Sequence, residues 1–327
     1  MQYRTFGKTA LKISETGFGA WAIGGPAMAG TTPIGWGKVN DAQSNRAIKK
    51  ALDLGVNFFD TADFYGLGHS EDLLGKTLRG QKDIVIATKV GHRLTEAQEI
   101  RQDYSKAYIV QACEASLRRL GRDAIDLYQL HAARMPDLEN GACIEAMELL
   151  RQQGKVRYWG LSLNTFEPAP EAEWLMARNL GDGFQIVLNI VNQRGLPVIR
   201  SAGANGFGII ARMPLQFGLL TGKFDKTTRF PANDHRAFRL PPELLADALD
   251  ALEPVWSLCE KYQTDHTGLA MAFILSHPEV STVIPGIRTA AQAEANTRPF
   301  PQLEQEDMDA LWRLYEAQLE PLVARMR

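Results

Sequence analysis

Four ionisable side chains stand where apolar runs break off. Asp60 closes VNFFD, Lys89 follows IVIAT, His131 follows IDLYQL, and Tyr65 lies just beyond Asp60 in the glycine-rich stretch DFYGLG. Their chemistries fit one another. A phenol, with an ordinary pKa of about 10, is a poor acid at neutral pH, and a neighbouring ammonium favours its ionised form. Lys89 can supply that ammonium to Tyr65, Asp60 can hold Lys89 charged and in place, and His131 can donate a hydrogen bond to a carbonyl oxygen as negative charge develops there. The set suits proton delivery to a carbonyl, and it contains no hydride source. Any one of the four alone reads as an ion pair or a solvated loop residue. Four together point to a site.

Bringing them together requires strands that end on one rim. From residue 15 onward the chain alternates short apolar runs with amphipathic helices that end in glycine, at junctions such as ALDLG–VNFFD, SLRRLGRDAIDLYQL, LLRQQGKVRYWGLS and ARNLGDGFQIVLN. Strands are predicted near 15–20, 56–60, 84–89, 125–130, 156–162, 184–188, 207–211 and 280–284. The first helix is predicted to begin at a cap on Asn40 or Asp41, to present Ala47, Ile48, Ala51 and Leu52 to the core, and to stop at Gly55. Ser70 is expected to cap a second helix whose start Glu71 and Asp72 support. Eight strands alternating with helices imply a parallel sheet closed into a (β/α)8 TIM barrel, with the site at the strand C-termini. Tyr3 to Phe6 and Leu11 to Ser14, around GKTA, read as a hairpin before the repeat. No linker-like composition divides residues 1–327, so one domain is expected. Residues 22–40 and 214–240 are long, Gly-rich or polar, and should project from the barrel mouth.

Composition narrows the class. Hydrophobic residues make up 45% and charged residues 23%, which excludes a disordered chain, and a net charge of −2 without a basic run gives no footprint for nucleic acid or an anionic membrane. Cys113, Cys143 and Cys259 lie far apart, suggesting neither disulfides nor zinc. No run has the length of a membrane span or a signal-peptide core, so a soluble cytoplasmic protein is expected. GFGAWA, Gly17 to Ala22, matches a dinucleotide fingerprint, but GGPAMAG follows it and cannot start the helix that the fingerprint needs. His69, His92, His235, His266 and His277 have no metal-ligand spacing and read as surface or loop residues, with His92 at the pocket rim. Trp21, Trp36, Phe64 and Met213 fall near the mouth, where a substrate pocket and core packing explain them about equally.

DTADFYG followed by GHSEDLLG resembles the first signature of the aldo-keto reductase family, and the likeness extends over nearly the whole chain. Asp60, Tyr65, Lys89 and His131 fall on that family's catalytic tetrad. The resemblance implies a (β/α)8 barrel that binds NADPH in extended form and passes hydride to an aldehyde or ketone, with Tyr65 as general acid. It also implies cofactor contacts. Ser162 in GLSLNT and Gln185 in FQIVLN match the residues that hold the nicotinamide carboxamide, but Leu163, followed by Asn164, stands where the family usually has asparagine. Arg212 in ARMPL replaces an aromatic residue that stacks on nicotinamide, a role its planar guanidinium can take. The same carry-over counts Trp21 among the cofactor contacts.

In PLQFGLLTGK, the backbones of Pro214, Leu215 and Gly218 and the side chain of Lys223 match the pyrophosphate-covering loop. IPGIRTAAQAEAN matches the adenosine-phosphate segment through Gly286, Arg288, Gln292 and Asn296. Many relatives carry lysine at the position of Gly286, which leaves Arg288 as the cation for a 2′-phosphate. Three functions stay open here. They are a carbonyl reductase, a regulatory or binding subunit of the same fold that keeps its cofactor, and a lyase using Lys89 as a Schiff base. The four residues together favour the first.

Overall fold

The structure is a computed structural model that describes residues 1–326 except 36, 232, 233 and 235. Trp36 and His235, both singled out above, lie outside the described residues. The apolar runs form eight parallel strands: β1 (Phe18–Gly19), β2 (Phe58–Asp60), β3 (Val85–Val90), β4 (Ile125–His131), β5 (Val156–Ser162), β6 (Gly183–Val187), β7 (Gly208–Arg212) and β8 (Thr282–Ile284). Each strand pairs with the next in sequence, from β1 to β8. Backbone bonds across the remaining gap bring the ends together: Gly17 N–H donates to Val283 O at 2.8 Å, Gly19 N–H to Pro285 O at 3.0 Å, and Val283 N–H to Glu15 O at 2.9 Å. The sheet is thereby nearly closed into the (β/α)8 barrel that the alternation predicts.

Register decides which side chains share a layer. Lys89 of β3 lies opposite Gln129 of β4, while His131, Ser162 and Gln185 line up across β4, β5 and β6. Because side chains alternate along a strand, Gln129 and His131 share a face. The other end of the barrel is plugged from below. The hairpin of Tyr3–Thr5 and Lys12–Ser14 delivers Phe6, fully buried, against Gly183 and Gly208, where added Cβ atoms would stand 2.3 and 2.4 Å from its ring. Only glycine fits beneath that ring.

The helix Asp41–Asp53 starts at Asn40, whose side chain accepts from Gln43 N–H at 3.0 Å, and stops before Gly55 at φ 88°. Ala47, Ile48 and Ala51 are fully buried on its inner face.

One expectation at the second helix is corrected. It spans His69–Thr77 and is entered through Gly68 in the left-handed region, φ 98°, so Ser70 is not its cap. The Ser70 hydroxyl instead donates to Ala20 O at 3.1 Å and accepts from Thr61 at 2.8 Å, tying the helix to the ends of β1 and β2. Glu71 and Asp72 stand in the first turn as expected, and Glu71 is in addition a fully buried crosslink, accepting from Thr88 at 2.5 Å and from Arg119 at 2.6 Å.

Both long loops carry short elements, including the strand pair Met28–Ala29 with Thr32–Pro33 and the 3-10 segment Gln216–Thr221. A third arm went unforeseen. Between β3 and the helix Lys106–Leu120, His92–Leu94 and Ile100–Gln102 form an antiparallel hairpin whose second strand is wholly exposed. With no buried face there is no apolar alternation to read.

Candidate active site

Strand register and one turn gather the four residues at the C-terminal end of the barrel. Lys89 Nζ donates to Asp60 Oδ1 at 2.5 Å, to Thr61 O at 2.8 Å and to Tyr65 Oη at 3.2 Å, so each of its three protons has an acceptor. Lys89 is fully buried and Asp60 is 2% exposed. Burial alone would lower the ammonium's pKa, but the Asp60 carboxylate and the Tyr65 oxygen hold it above the usual lysine value. His131 joins through its ring, edge-on to Tyr65 at a centroid distance of 6.0 Å. Burial, reinforced by Lys89, His92 and Arg212, pushes its pKa well below the histidine norm. His131 is therefore neutral at physiological pH and donates from one nitrogen only.

The second Asp60 oxygen is also engaged. Oδ2 accepts from Gln185 Nε2 at 2.7 Å and from Gln129 Nε2 at 3.2 Å. Gln185 thus reaches the site through Asp60, and Gln129 is a member the sequence reading missed. Its signal was present: a polar residue two positions before His131 in an apolar strand lies on the same face.

Ser162 is buried in the row between His131 and Gln185. Leu163 belongs to the apolar core, and Asn164 Oδ1 accepts from Phe166 N–H and Glu167 N–H at 2.9 and 3.0 Å, closing a local turn. Arg212 ends β7 and donates to Leu163 O at 3.1 Å and Thr165 Oγ1 at 3.0 Å, bridging to the loop after β5. Burial lowers its pKa, while Tyr65 and Asp60 act in the opposite sense. Trp21, in the 3-10 turn Ala20–Ile23, places its ring 6.4 Å from that of Tyr65. Phe64, next to Tyr65 in the same loop, packs against His92, with ring centroids 5.6 Å apart.

The segment after β7 is bent tightly. Met213, Gln216 and Phe217 have φ of 57°, 41° and 57°, each costing about 1–3 kcal/mol, and Gly218 follows at 98°. Asn189 braces the bend from beneath, donating to Met213 O at 2.8 Å and to Gln216 Oε1 at 2.9 Å. Pro214 is buried, Leu215 packs partly on the core, and Lys223 is exposed where the segment leaves the barrel. At β8, an added Cβ on Gly286 would meet only Ala22, at 3.6 Å, so the space in front of it is open. Thr289 caps the helix Ala290–Thr297 by accepting from Gln292 N–H at 3.1 Å, and Gln292 Oε1 accepts from Arg288 N–H at 2.8 Å. Asn296 is buried in the same helix. Among the described residues these make no hydrogen bond or ion pair with the four; the bridge between Gly19 and Gly286 sets them beside the start of the Trp21 turn.

The aldo/keto reductase family profile matches residues 15–316. The uncharacterized oxidoreductase YqkF of Bacillus subtilis is 30% identical over 323 residues, covering 95% of each chain. Among solved structures, the holo form of aldo-keto reductase AKR11C1 from Bacillus halodurans is 29% identical with a TM-score of 0.76, covering 96% of each chain. The glycerol dehydrogenase AKR11B4 from Gluconobacter oxydans is 27% identical with a TM-score of 0.80, covering 97% of this chain and 95% of its own. A barrel closed by β1 and β8, a lysine locked between a carboxylate and a phenol, and a match across nearly the full length agree on one conclusion: the chain belongs to the aldo/keto reductase family.

Proposed function

We propose that the protein reduces aldehydes or ketones to alcohols with NADPH, and that Tyr65 is the proton donor. The observation that carries this reading is the buried Lys89 ammonium, held at once on Asp60 and on the Tyr65 oxygen. When Tyr65 gives its proton to a carbonyl oxygen, the phenolate it leaves sits 3.2 Å from that ammonium. Asp60 keeps the ammonium charged, and Gln129 and Gln185 keep Asp60 oriented. His131, neutral, donates an N–H to the same carbonyl oxygen. In alcohol oxidation the roles reverse, and the Tyr65 phenolate takes the proton back. A Schiff-base role for Lys89 is disfavoured, because a nucleophilic amine must be neutral and this one is held protonated.

NADPH, when bound, supplies the hydride that the side chains lack. The open space at Gly286, the helix N-terminus at Thr289 and the adjacent Arg288 suit an adenosine phosphate. The tightly bent backbone of Pro214, Leu215 and Gly218, with Lys223, suits the pyrophosphate, while Ser162, Gln185, Arg212 and Trp21 stand on the nicotinamide side. The likeness to a glycerol dehydrogenase supports interconversion of a carbonyl with its alcohol in either direction. Three free cysteines support a reducing, cytoplasmic setting, and the continuous strand–helix repeat supports one domain over 1–327.

Consumption of NADPH with 4-nitrobenzaldehyde tests the reading; tight NADPH binding without turnover would favour the regulatory subunit. Cofactor choice has its own test. A charge-assisted pair between Arg288 and the 2′-phosphate is worth about 1.5–3 kcal/mol, roughly 10- to 150-fold in affinity. Arg288→Ala should weaken NADPH by about that factor in a fluorescence titration and leave NADH nearly unchanged. Equal loss for both cofactors would remove Arg288 from the phosphate site.

A further inference from the structure

The unforeseen hairpin after β3, with Tyr104 just beyond its second strand, touches His131 at the end of β4 in two places. Tyr104 donates its hydroxyl to His131 O at 2.5 Å, and the His92 ring stands edge-on to the His131 ring, with centroids 4.6 Å apart and planes at 77°. His92 is itself well held. It pairs in register with Gln102, its carbonyl accepts from Tyr108 at 3.2 Å, and Phe64 packs against its ring.

The two imidazoles present an unresolved pairing. His131 Nδ1 and His92 Nδ1 are both sealed from solvent, and neither has a hydrogen-bond partner among the described residues. Two sealed, unpaired nitrogens on adjoining rings are costly, and a donor set against an acceptor removes both penalties. Gln102 decides which ring donates. Its amide nitrogen, a donor, lies 3.3 Å from His92 Nε2, so the single proton of neutral His92 is assigned to Nδ1. Centroids 4.6 Å apart are close enough for a ring rotation to bring nitrogen to nitrogen.

We propose that His92 is a positioning residue for His131: its Nδ1–H donates to His131 Nδ1 and so fixes the His131 proton on Nε2, the nitrogen left to meet the substrate carbonyl. This rests on the reductase reading above. The chain of donors then runs from the Gln102 amide through His92 to His131 and ends on the carbonyl oxygen. Without it, the His131 proton can settle on Nδ1, and an acceptor lone pair would face the carbonyl where a donor is required.

Protein labelled with 15N-histidine, without substrate, should show His131 as the Nε2–H tautomer. His92→Phe, which keeps a ring but offers no N–H, should convert His131 to a mixture or to Nδ1–H, and should lower kcat about 10- to 100-fold with NADPH affinity unchanged. His92→Gln can still donate an N–H and should restore both the tautomer and most of the turnover. A wild-type His131 protonated on Nδ1 would overturn the proposal. So would a tautomer and kcat unmoved by His92→Phe, or equal losses in the two variants with Nε2–H intact. Failure of the reductase reading would show separately, as absent turnover in the wild type, because the tautomer is read without catalysis.

Discussion

Lys89 has three acceptors and no exposed surface, and that governs what its removal does. Lys89→Met leaves the Asp60 carboxyl group buried and without its cation, a change that costs about 3–5 kcal/mol. Urea unfolding should register that loss, and turnover should fall with it. Adding Asp60→Asn removes the stranded carboxyl group, so stability should largely return while turnover stays low. Recovery of both would make the pair structural only. At this scale the sequence was readable wherever an ionisable residue ended an apolar run, which located Asp60, Lys89 and His131. Gln129 carried the same signal in its spacing from His131 and was passed over because it does not titrate. The neutrality of His131 could not be read, because it depends on burial in the assembled barrel and then on Lys89, His92 and Arg212, which come from other elements.

Elements were legible in proportion to the surface they bury. The eight strands and the helix Asp41–Asp53 have strong apolar patterns and lie within a few residues of their predicted limits. The His92–Leu94 and Ile100–Gln102 hairpin, polar and exposed, gave no pattern, and the Gly68 entry to the second helix depends on a left-handed residue rather than a side-chain cap. His277, read as a surface or loop residue, does lie in the loop just beyond the helix His266–Leu275, but it is only 7% exposed, edge-on to Phe273 at 5.1 Å, and its Nε2 has no partner among the described residues. Burial, aided by Arg200, pushes it down to about 4 from an ordinary 6.5. The folded protein keeps this ring neutral, whereas the unfolded chain protonates it below 6.5, so its contribution is complete above that pH and lost as pH falls toward 4. Between pH 7 and 5, wild type should lose about 2 kcal/mol more stability than His277→Phe in urea melts. Parallel pH curves for the two would show that His277 titrates normally.

For the molecule as a whole, closure separates the two ends of the barrel. Phe6 and the hairpin fill one end, and the three arms after β1, β3 and β7 surround the other. The glycines of GFGAWA serve that closure: an added Cβ on Gly19 would stand 2.7 Å from Pro285 O, where β1 meets the segment after β8. Among the described residues no helix is long and apolar enough to cross a membrane. Topology was readable because each strand returns beside the previous one, while loop shape, and with it the substrate, was not, because the bent segment at Met213–Gly218 rests on partners such as Asn189 from a distant element. The whole arrangement converges on one phenol. Tyr65→Phe keeps the ring and removes the proposed proton donor. In steady-state reduction of 4-nitrobenzaldehyde, its kcat should fall by a factor on the order of 10² or more with NADPH affinity preserved. Near-normal turnover at saturating substrate would contradict the account.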